Sequence, residues 1–125
     1  MNPEDIDLKL ADIHFLHENP NVDDTSPVSE STVYTARRVL ELLTDIPKDV
    51  IAVHPYYDGT IDIFISKGRG KTLLINVGEG MVDWSVGTGE GFYGESEEVE
   101  DFINDRTYSK LNHWYNSPTH SFPRH

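Results

Sequence analysis

The 125-residue sequence contains no cysteine. Disulfide bonds and thiolate metal sites are therefore excluded, and a chain of this kind suits a reducing compartment. The sequence also has no apolar run near the ~18 residues that a membrane-spanning helix needs. Its first residues, MNPEDID, are acidic, whereas a secretory signal begins with basic residues. From these absences we expect a soluble, cytoplasmic protein that makes no contact with membranes.

Basic residues are scarce. The chain has 10 lysines and arginines against 22 aspartates and glutamates, which gives a net charge of −12. Such a surface repels nucleic acid, so we expect no direct nucleic-acid binding and instead a protein partner with a basic surface. Lys67, Arg69 and Lys71 form the main basic cluster at one predicted turn. This cluster is either a small anion-binding tip or a solvated hairpin turn.

Two helices are predicted before residue 47. The first spans about residues 3–17, with Asn2 as its N-cap and Pro3 at its first position. An apolar alternation over residues 6–10 leaves a strand open as the alternative. The second helix is longer, with Ser26 as cap and Pro27 at the first position. Its apolar stripe has helical spacing and comprises Val28, Thr32, Ala36, Val39, Leu40 and Leu43.

The region from residue 50 to residue 86 has the pattern of an antiparallel meander. Alternating apolar residues predict strands at about 50–57, 60–66, 71–77 and 81–86. Asp58-Gly59 is typical of a two-residue hairpin turn. A sheet with one solvated face accounts for the polar residues between the apolar ones. The face predicted to contact the long helix includes Ile61, Ile63 and Ile65 in the second strand and Val82, Trp84 and Val86 in the fourth.

The sequence beyond the fourth strand predicts a loop and a short acidic helix. Ser96 is a suitable cap for a helix from Glu97 to Asn104. Residues 106–125 form an aromatic, histidine-containing tail with no regular element. The predicted architecture is one α+β domain, residues 1–105, in which a four-stranded antiparallel meander packs against a long helix. An N-terminal helix and the short C-terminal acidic helix complete it.

The glycines at positions 87, 89 and 91 invite comparison with phosphate-binding loops. The dinucleotide fingerprint has a different spacing and requires a helix to begin directly at its last glycine, within a βαβ unit. Here two aromatic residues and Gly94 follow, and the next predicted helix begins with acids. The pattern therefore favours a flexible loop between the sheet and that helix.

Histidines provide two further hypotheses. His14 and His17 are three residues apart on the first helix, with Glu18 adjacent, and two helical histidines with a carboxylate can bind zinc. His113 or His120 could supply a further ligand. The alternative is a surface pair, and we predict neither a metal nor another cofactor.

His54 faces Asp62 across the first predicted hairpin, an arrangement that a general base uses. No cysteine and no serine in a recognisable elbow accompanies the pair as a nucleophile. A cross-strand polar pair is the alternative interpretation.

The acidic cluster near the end of the chain is the main candidate for function. A dense set of carboxylates on a rigid element can imitate the charge of a phosphate backbone, although a solvated acidic face is the alternative. Aromatic side chains nearby would anchor a partner, because interface energy concentrates on aromatics. The candidate partner-binding residues are Glu97, Glu98, Glu100 and Asp101 for charge and Phe92, Tyr93, Trp114 and Tyr115 as anchors.

The block from Pro47 to Tyr93 resembles a loose group of small, mostly uncharacterised bacterial and phage-associated acidic α+β proteins. The residues that carry the resemblance are Asp58, Gly59, Ile61, Ile63, Leu74, Ile75 and Trp84. It covers under half of the chain and implies a meander. In size, acidity and compactness the chain is also similar in type to phage-encoded inhibitors of host defence, including anti-CRISPR proteins.

These patterns predict a non-catalytic acidic protein that occupies a basic surface of a larger partner, such as a phage-type inhibitor of a nucleic-acid-handling protein. An immunity or antitoxin-type protein that neutralises a cognate toxin is one alternative. A small metal-dependent or hydrolytic enzyme built on His14, His17 and His54 is another. The chain would be a monomer or a homodimer, since exposed edge strands can pair.

Overall fold

The computed structural model describes residues 2–18, 28–56, 58–67, 71–88 and 91–117, with the backbone alone for residues 12–18. Its elements are helices α1 (Pro3–Glu18) and α2 (Glu30–Leu42), a 3₁₀ helix (Lys48–Val50), strands β1 (Ile51–Pro55), β2 (Ile61–Ser66), β3 (Thr72–Val77), β4 (Met81–Thr88) and β5 (Gly91–Glu98), and helices α3 (Val99–Asn104) and α4 (Thr107–Asn116). The protein is α+β with a five-stranded antiparallel sheet, where the sequence predicted four strands.

Helix α1 begins where the sequence predicted. The side-chain oxygen of Asn2 accepts a hydrogen bond from the N–H of Asp5 at 2.8 Å, which satisfies a backbone donor of the first turn. Ile6 and Leu10, four residues apart on one side of the helix, are buried. None of the helices in the described ranges is long and apolar enough to cross a bilayer.

Helix α2 carries the predicted apolar stripe but begins later. The helix starts at Glu30, and its cap is Ser29, whose hydroxyl oxygen accepts from the N–H of Thr32 at 3.1 Å. The predicted start at Ser26 and Pro27 lies outside the described residues. Every residue of the predicted stripe is buried, which confirms the face that packs on the sheet.

The sheet is an up-and-down meander in the order β1-β2-β3-β4-β5. Its buried face is the predicted one, and the helices cover it. The buried residues on its three central strands are Ile61, Ile63 and Ile65, Leu73, Ile75 and Val77, and Val82, Trp84 and Val86. The opposite face exposes Phe64, Leu74 and Asp83, as a sheet with one solvated face should.

The first hairpin differs from the prediction. The N–H of Tyr56 donates to the carbonyl oxygen of Thr60 at 2.8 Å, so Tyr56 pairs with Thr60, whereas a two-residue turn at Asp58-Gly59 requires the residue after Tyr56 to do so. Gly59 has a φ of 88°, which glycine adopts without steric cost. The side chain of Asp58 accepts hydrogen bonds from the N–H and the hydroxyl of Thr60, and these two bonds within the turn stabilise its conformation.

A fifth strand replaces the loop and the start of the acidic helix that the sequence predicted. Residues Gly91–Glu98 pair with β4 along its whole length, from Thr88 opposite Gly91 to Met81 opposite Glu98. Helix α3 therefore begins at Val99, and Ser96 lies in the strand instead of capping a helix. Pairing with β4 outweighs the helix signal of the acidic run.

The predicted irregular tail contains a helix. Helix α4 begins after Arg106, which has left-handed backbone angles, and it buries Leu111, Trp114 and Tyr115. These residues belong to the same hydrophobic cluster as residues of α1, α2, α3 and strands β1–β4. The prediction of an irregular segment is thus wrong for residues 107–116, and residues 118–125 lie outside the described ranges.

Candidate functional site

Strand β5 and the first turn of α3 form one acidic border of the molecule. We call this border the acidic edge and define it by Phe92, Glu95, Glu97, Glu98, Glu100 and Asp101. β5 has a strand neighbour on one side only, β4. The acidic edge is therefore one of the two ends of the sheet, where backbone groups of the last strand face outward.

Gly94 lets β5 lie close to β4. A Cβ atom at this position would lie 2.4 Å from the carbonyl oxygen of Trp84 and 2.9 Å from Cβ of Ser85. Because those are backbone and buried-strand atoms, any other residue would push the two strands apart. The glycine thus fixes where the acidic edge sits.

The pattern of backbone hydrogen bonds along β5 follows from two bonds at the start of β4. The N–H of Val99 donates to the carbonyl oxygen of Gly80 at 2.8 Å, next to the β4–β5 pair, and the N–H of Gly78 donates to the carbonyl oxygen of Met81 at 3.0 Å, between β3 and β4. In an antiparallel pair, hydrogen-bonded and non-bonded residues alternate. The even-numbered residues of β4 therefore bond to β5, and the N–H groups of residues 92, 94, 96 and 98 point away from the sheet.

The carboxylates of the acidic edge are not equivalent. Glu100 accepts a hydrogen bond from the guanidinium of Arg38 at 2.8 Å, and this bond lowers the pKa of the Glu100 carboxyl below its usual value. Glu97 accepts from the hydroxyl of Thr107 at 2.7 Å. Within the described residues, Glu98 and Asp101 are exposed and have no ion-pair partner.

The four predicted acidic residues therefore lie on two elements. Glu97 and Glu98 belong to β5, whereas Glu100 and Asp101 belong to α3. Glu98 and Asp101 are the pair in the best position to attract an external cation, because Glu97 and Glu100 already have internal partners. Glu95, which belongs to the same acidic run but was not predicted to bind a partner, is also exposed and accepts from the hydroxyl of Tyr93 at 3.2 Å.

The four predicted aromatic anchors differ in how much of each side chain is exposed. Phe92 is 84% exposed, and its ring lies over Gly87 on the open face. Tyr93 is half-buried and packs edge-on against Trp84, with ring centres 5.8 Å apart. Trp114 and Tyr115 are 1% and 5% exposed, so they stabilise the core and present no surface to a partner.

The basic cluster near residue 70 has an internal role. Lys71 donates to the carbonyl oxygens of Trp114 and Ser117, and Lys67 donates to that of Tyr115 at 2.8 Å. These lysines cap the carboxyl end of α4, where helix carbonyls lack intrahelical partners. This arrangement accounts for both lysines without an anion, and Arg69 lies outside the described residues.

The described residues provide little support for a metal site or a general base built on histidine. His54 lies opposite Asp62 as predicted, but it is exposed, and Asp62 accepts from the side-chain amide of Asn76 at 2.7 Å. Within the part of the chain that the structure describes, no three His, Asp or Glu residues are placed to hold a metal ion. The side chains of His14 and His17 lie outside that part.

The glycine-rich segment after β4 connects two strands. Thr88, the last residue of β4, lies opposite Gly91, the first residue of β5, so the two strands are antiparallel neighbours in the chain as well as in the sheet. Residues 89 and 90 lie outside the described ranges. The predicted connection from the sheet to a helix is thus wrong, since a strand follows.

Comparison of the chain with protein families, with curated proteins and with solved structures found no match. The function is therefore argued from the acidic edge and its surroundings.

Proposed function

We propose that the protein is a non-catalytic binding protein that occupies a basic surface of a larger partner protein through its acidic edge. The observation that carries this proposal is that the acidic edge exposes Glu98 and Asp101, which have no ion-pair partner within the described residues, on a chain of net charge −12. The exposed ring of Phe92 lies on the same face of β5 as Glu98 but at the other end of the strand, ~20 Å away. Uncompensated charge steers a partner towards this border, and an apolar anchor on the same strand adds affinity.

The partner class follows from this charge. A protein that handles nucleic acid has an extended basic surface, because it must neutralise phosphates. Carboxylates on a strand and on a helix that share one core are held rigidly and can take the place of those phosphates. On this proposal the protein competes with nucleic acid for its partner, as a phage-type inhibitor would.

Capture from host lysate tests the proposal. The untagged protein is immobilised, and retained proteins are identified by mass spectrometry at low and at high salt. We expect a nucleic-acid-binding protein that is held at low salt, released at high salt and displaced by added nucleic acid. Capture that neither salt nor nucleic acid reduces would contradict the proposal.

Two variants locate the interaction. The edge variant carries Glu97→Gln, Glu98→Gln and Asp101→Asn. The control variant carries Glu4→Gln, Asp45→Asn and Asp49→Asn, which are exposed on α1 and on the segment between α2 and β1. Each loses three acids, so both change the net charge from −12 to −9. We expect the edge variant to lose the partner and the control variant to keep it, and equal losses would show that net charge alone attracts the partner.

A further inference from the structure

We propose that β5 accepts an extended segment of the partner, rich in lysine or arginine, as a sixth strand of the sheet. This inference rests on the proposed function and specifies how the acidic edge holds its partner. In this mode, backbone hydrogen bonds supply affinity, and contacts to alternate side chains supply specificity.

The two ends of the sheet differ in their capacity to accept another strand. On β1, the bond between Tyr56 and Thr60 fixes the alternation, so residues 51, 53 and 55 face outward. The carbonyl oxygen of Ile51 already accepts from the ammonium of Lys9, and Pro55 has no N–H to donate. The β1 end is therefore closed to strand addition by devices that are typical of protected edges.

The outward residues of β5 include no proline, and within the described residues no lysine occupies their backbone oxygens. The charged side chains of β5 also protect the edge, but they are acidic, so they repel an acidic strand and attract a basic one. Phe92, Gly94, Ser96 and Glu98 each have a backbone N–H that points away from β4, and none of the four is a proline. An edge strand with such a row of donors is a template for another strand. Eight paired residues make β5 as long as β4, so the template extends along the whole border.

The open face beside β5 has room for the side chains of an added strand. Gly94 and Ser96 are small, and next to them lies a shallow depression of about 400 Å³, whose wall includes Asp83, Ser85 and Asn76. An added strand would lie ~9–10 Å from β4, two strand spacings away. A long basic side chain on that strand can cross Gly94 and Ser96 towards the exposed carboxylate of Asp83.

The carboxylates of β5 determine which kind of segment can be the added strand. Glu98 lies on the open-face side of β5 and Glu95 on the other side, so an added strand meets carboxylates on both of its faces. Basic residues on the added segment would complement both. A second copy of this chain would instead bring another net charge of −12 to the same border, and nucleic acid would be repelled.

Hydrogen exchange of the wild-type protein measures strand addition directly. The probe is a peptide of alternating lysine and threonine that is long enough to span β5. We expect the amides of residues 92, 94 and 96 to exchange rapidly without the peptide and to become protected with it, whereas the amide of Glu95 is protected in both states. A peptide of the same sequence that is N-methylated at every residue carries the same charge but has no backbone N–H to donate. We expect it to give no protection, and equal effects of the two peptides, or no protection by the first, would overturn the proposal.

A pair of substitutions at one position separates strand addition from charge. Ser96→Pro removes an N–H that the folded sheet does not use, and proline is tolerated at such edge positions. Ser96→Ala removes only the hydroxyl. We expect the proline variant to bind the alternating peptide about tenfold or more weakly, and the alanine variant to bind it like the wild type. Equal binding by both variants would overturn the strand mode.

The same two variants keep this inference distinct from the proposed function. If the partner captured from lysate is lost by the edge variant but kept by Ser96→Pro, the acidic surface is confirmed and strand addition is wrong. If the edge variant keeps the partner, the proposed function itself is wrong.

Discussion

The ammonium nitrogen of Lys71 lies 2.6 Å from the backbone carbonyl oxygen of Trp114, so a lysine directly before β3 caps the last turn of a helix that begins more than thirty residues later. Lys71 is only 4% exposed, and the same ammonium also donates to the carbonyl oxygen of Ser117. Burial and the nearby charge of Lys67 lower the pKa of Lys71. The lysine donates to the carbonyl oxygen of Ser117 and adds a second donor to that of Trp114, which also accepts from the N–H of Ser117 at 3.2 Å.

Lys71→Met should destabilise the protein by ~1–3 kcal/mol, because the methionine fills the space but donates nothing to the carbonyl oxygens. Lys110→Met is the control, since Lys110 is exposed on α4, and it should change stability by less than ~0.5 kcal/mol. Urea denaturation of both variants measures this difference. If the two variants have the same stability, Lys71 does not cap α4.

Leu40→Ala should destabilise the protein by ~2–5 kcal/mol, because Leu40 is fully buried between α2 and the sheet. Leu8→Ala is the matched control on a helix surface, where the side chain is 75% exposed, and it should have little effect. Thermal and urea unfolding report both. An unchanged midpoint for Leu40→Ala would contradict the assigned core.

Gly94→Ala should cost ~1–3 kcal/mol, because its new methyl group meets the carbonyl oxygen of Trp84 at 2.4 Å and must displace one strand. Gly78→Ala provides the comparison, since the nearest atom to its methyl group is Cγ2 of Thr60 at an ordinary 3.8 Å. We also expect Gly94→Ala to raise the amide exchange rates of β5. A tolerated alanine at Gly94 would show that the two strands are not packed as described.

Stability at acidic pH should depend on Glu100. Arg38 lowers the folded-state pKa of Glu100 below its ordinary value of 4.5, so the unfolded chain binds the proton more tightly. The ion pair therefore contributes stability above about pH 4.5, and the contribution is lost as the pH falls through the folded-state pKa. Glu100→Gln should be less stable than the wild type at pH 7, and the difference should shrink at pH 3. In an Arg38→Met background we expect the substitution to have no such pH dependence, and a persistent dependence would assign it to another group.

Much of the fold could be predicted from the sequence, because its signals are local. The Asn2 cap, the buried stripe of α2 and the inward residues of β2, β3 and β4 depend on spacing alone. Strand β5 was missed because its acidic residues and Ser96 resemble a capped helix, and only pairing with β4 makes them a strand. Helix α4 was missed because its buried face is aromatic and its cap comes from Lys71, far away in sequence.

The candidate site, too, could be predicted from the sequence only in part. The acidic residues and Phe92 could be selected from composition, whereas the burial of Trp114 and the internal partners of Glu97 and Glu100 could not. These depend on contacts between distant segments, for which the sequence contains no periodic signal. The outward row of N–H groups on β5 likewise exists only once the register with β4 is fixed.

The association rate constant between this protein and its captured partner, measured against salt concentration, tests the acidic edge most directly. We expect the rate constant of the wild type and of the control variant to fall steeply as salt rises, because charge steers the encounter. The edge variant should associate more slowly at low salt and depend less on salt. A rate constant that is insensitive to salt, or that changes equally in both variants, would contradict the claim that the acidic edge binds a basic surface.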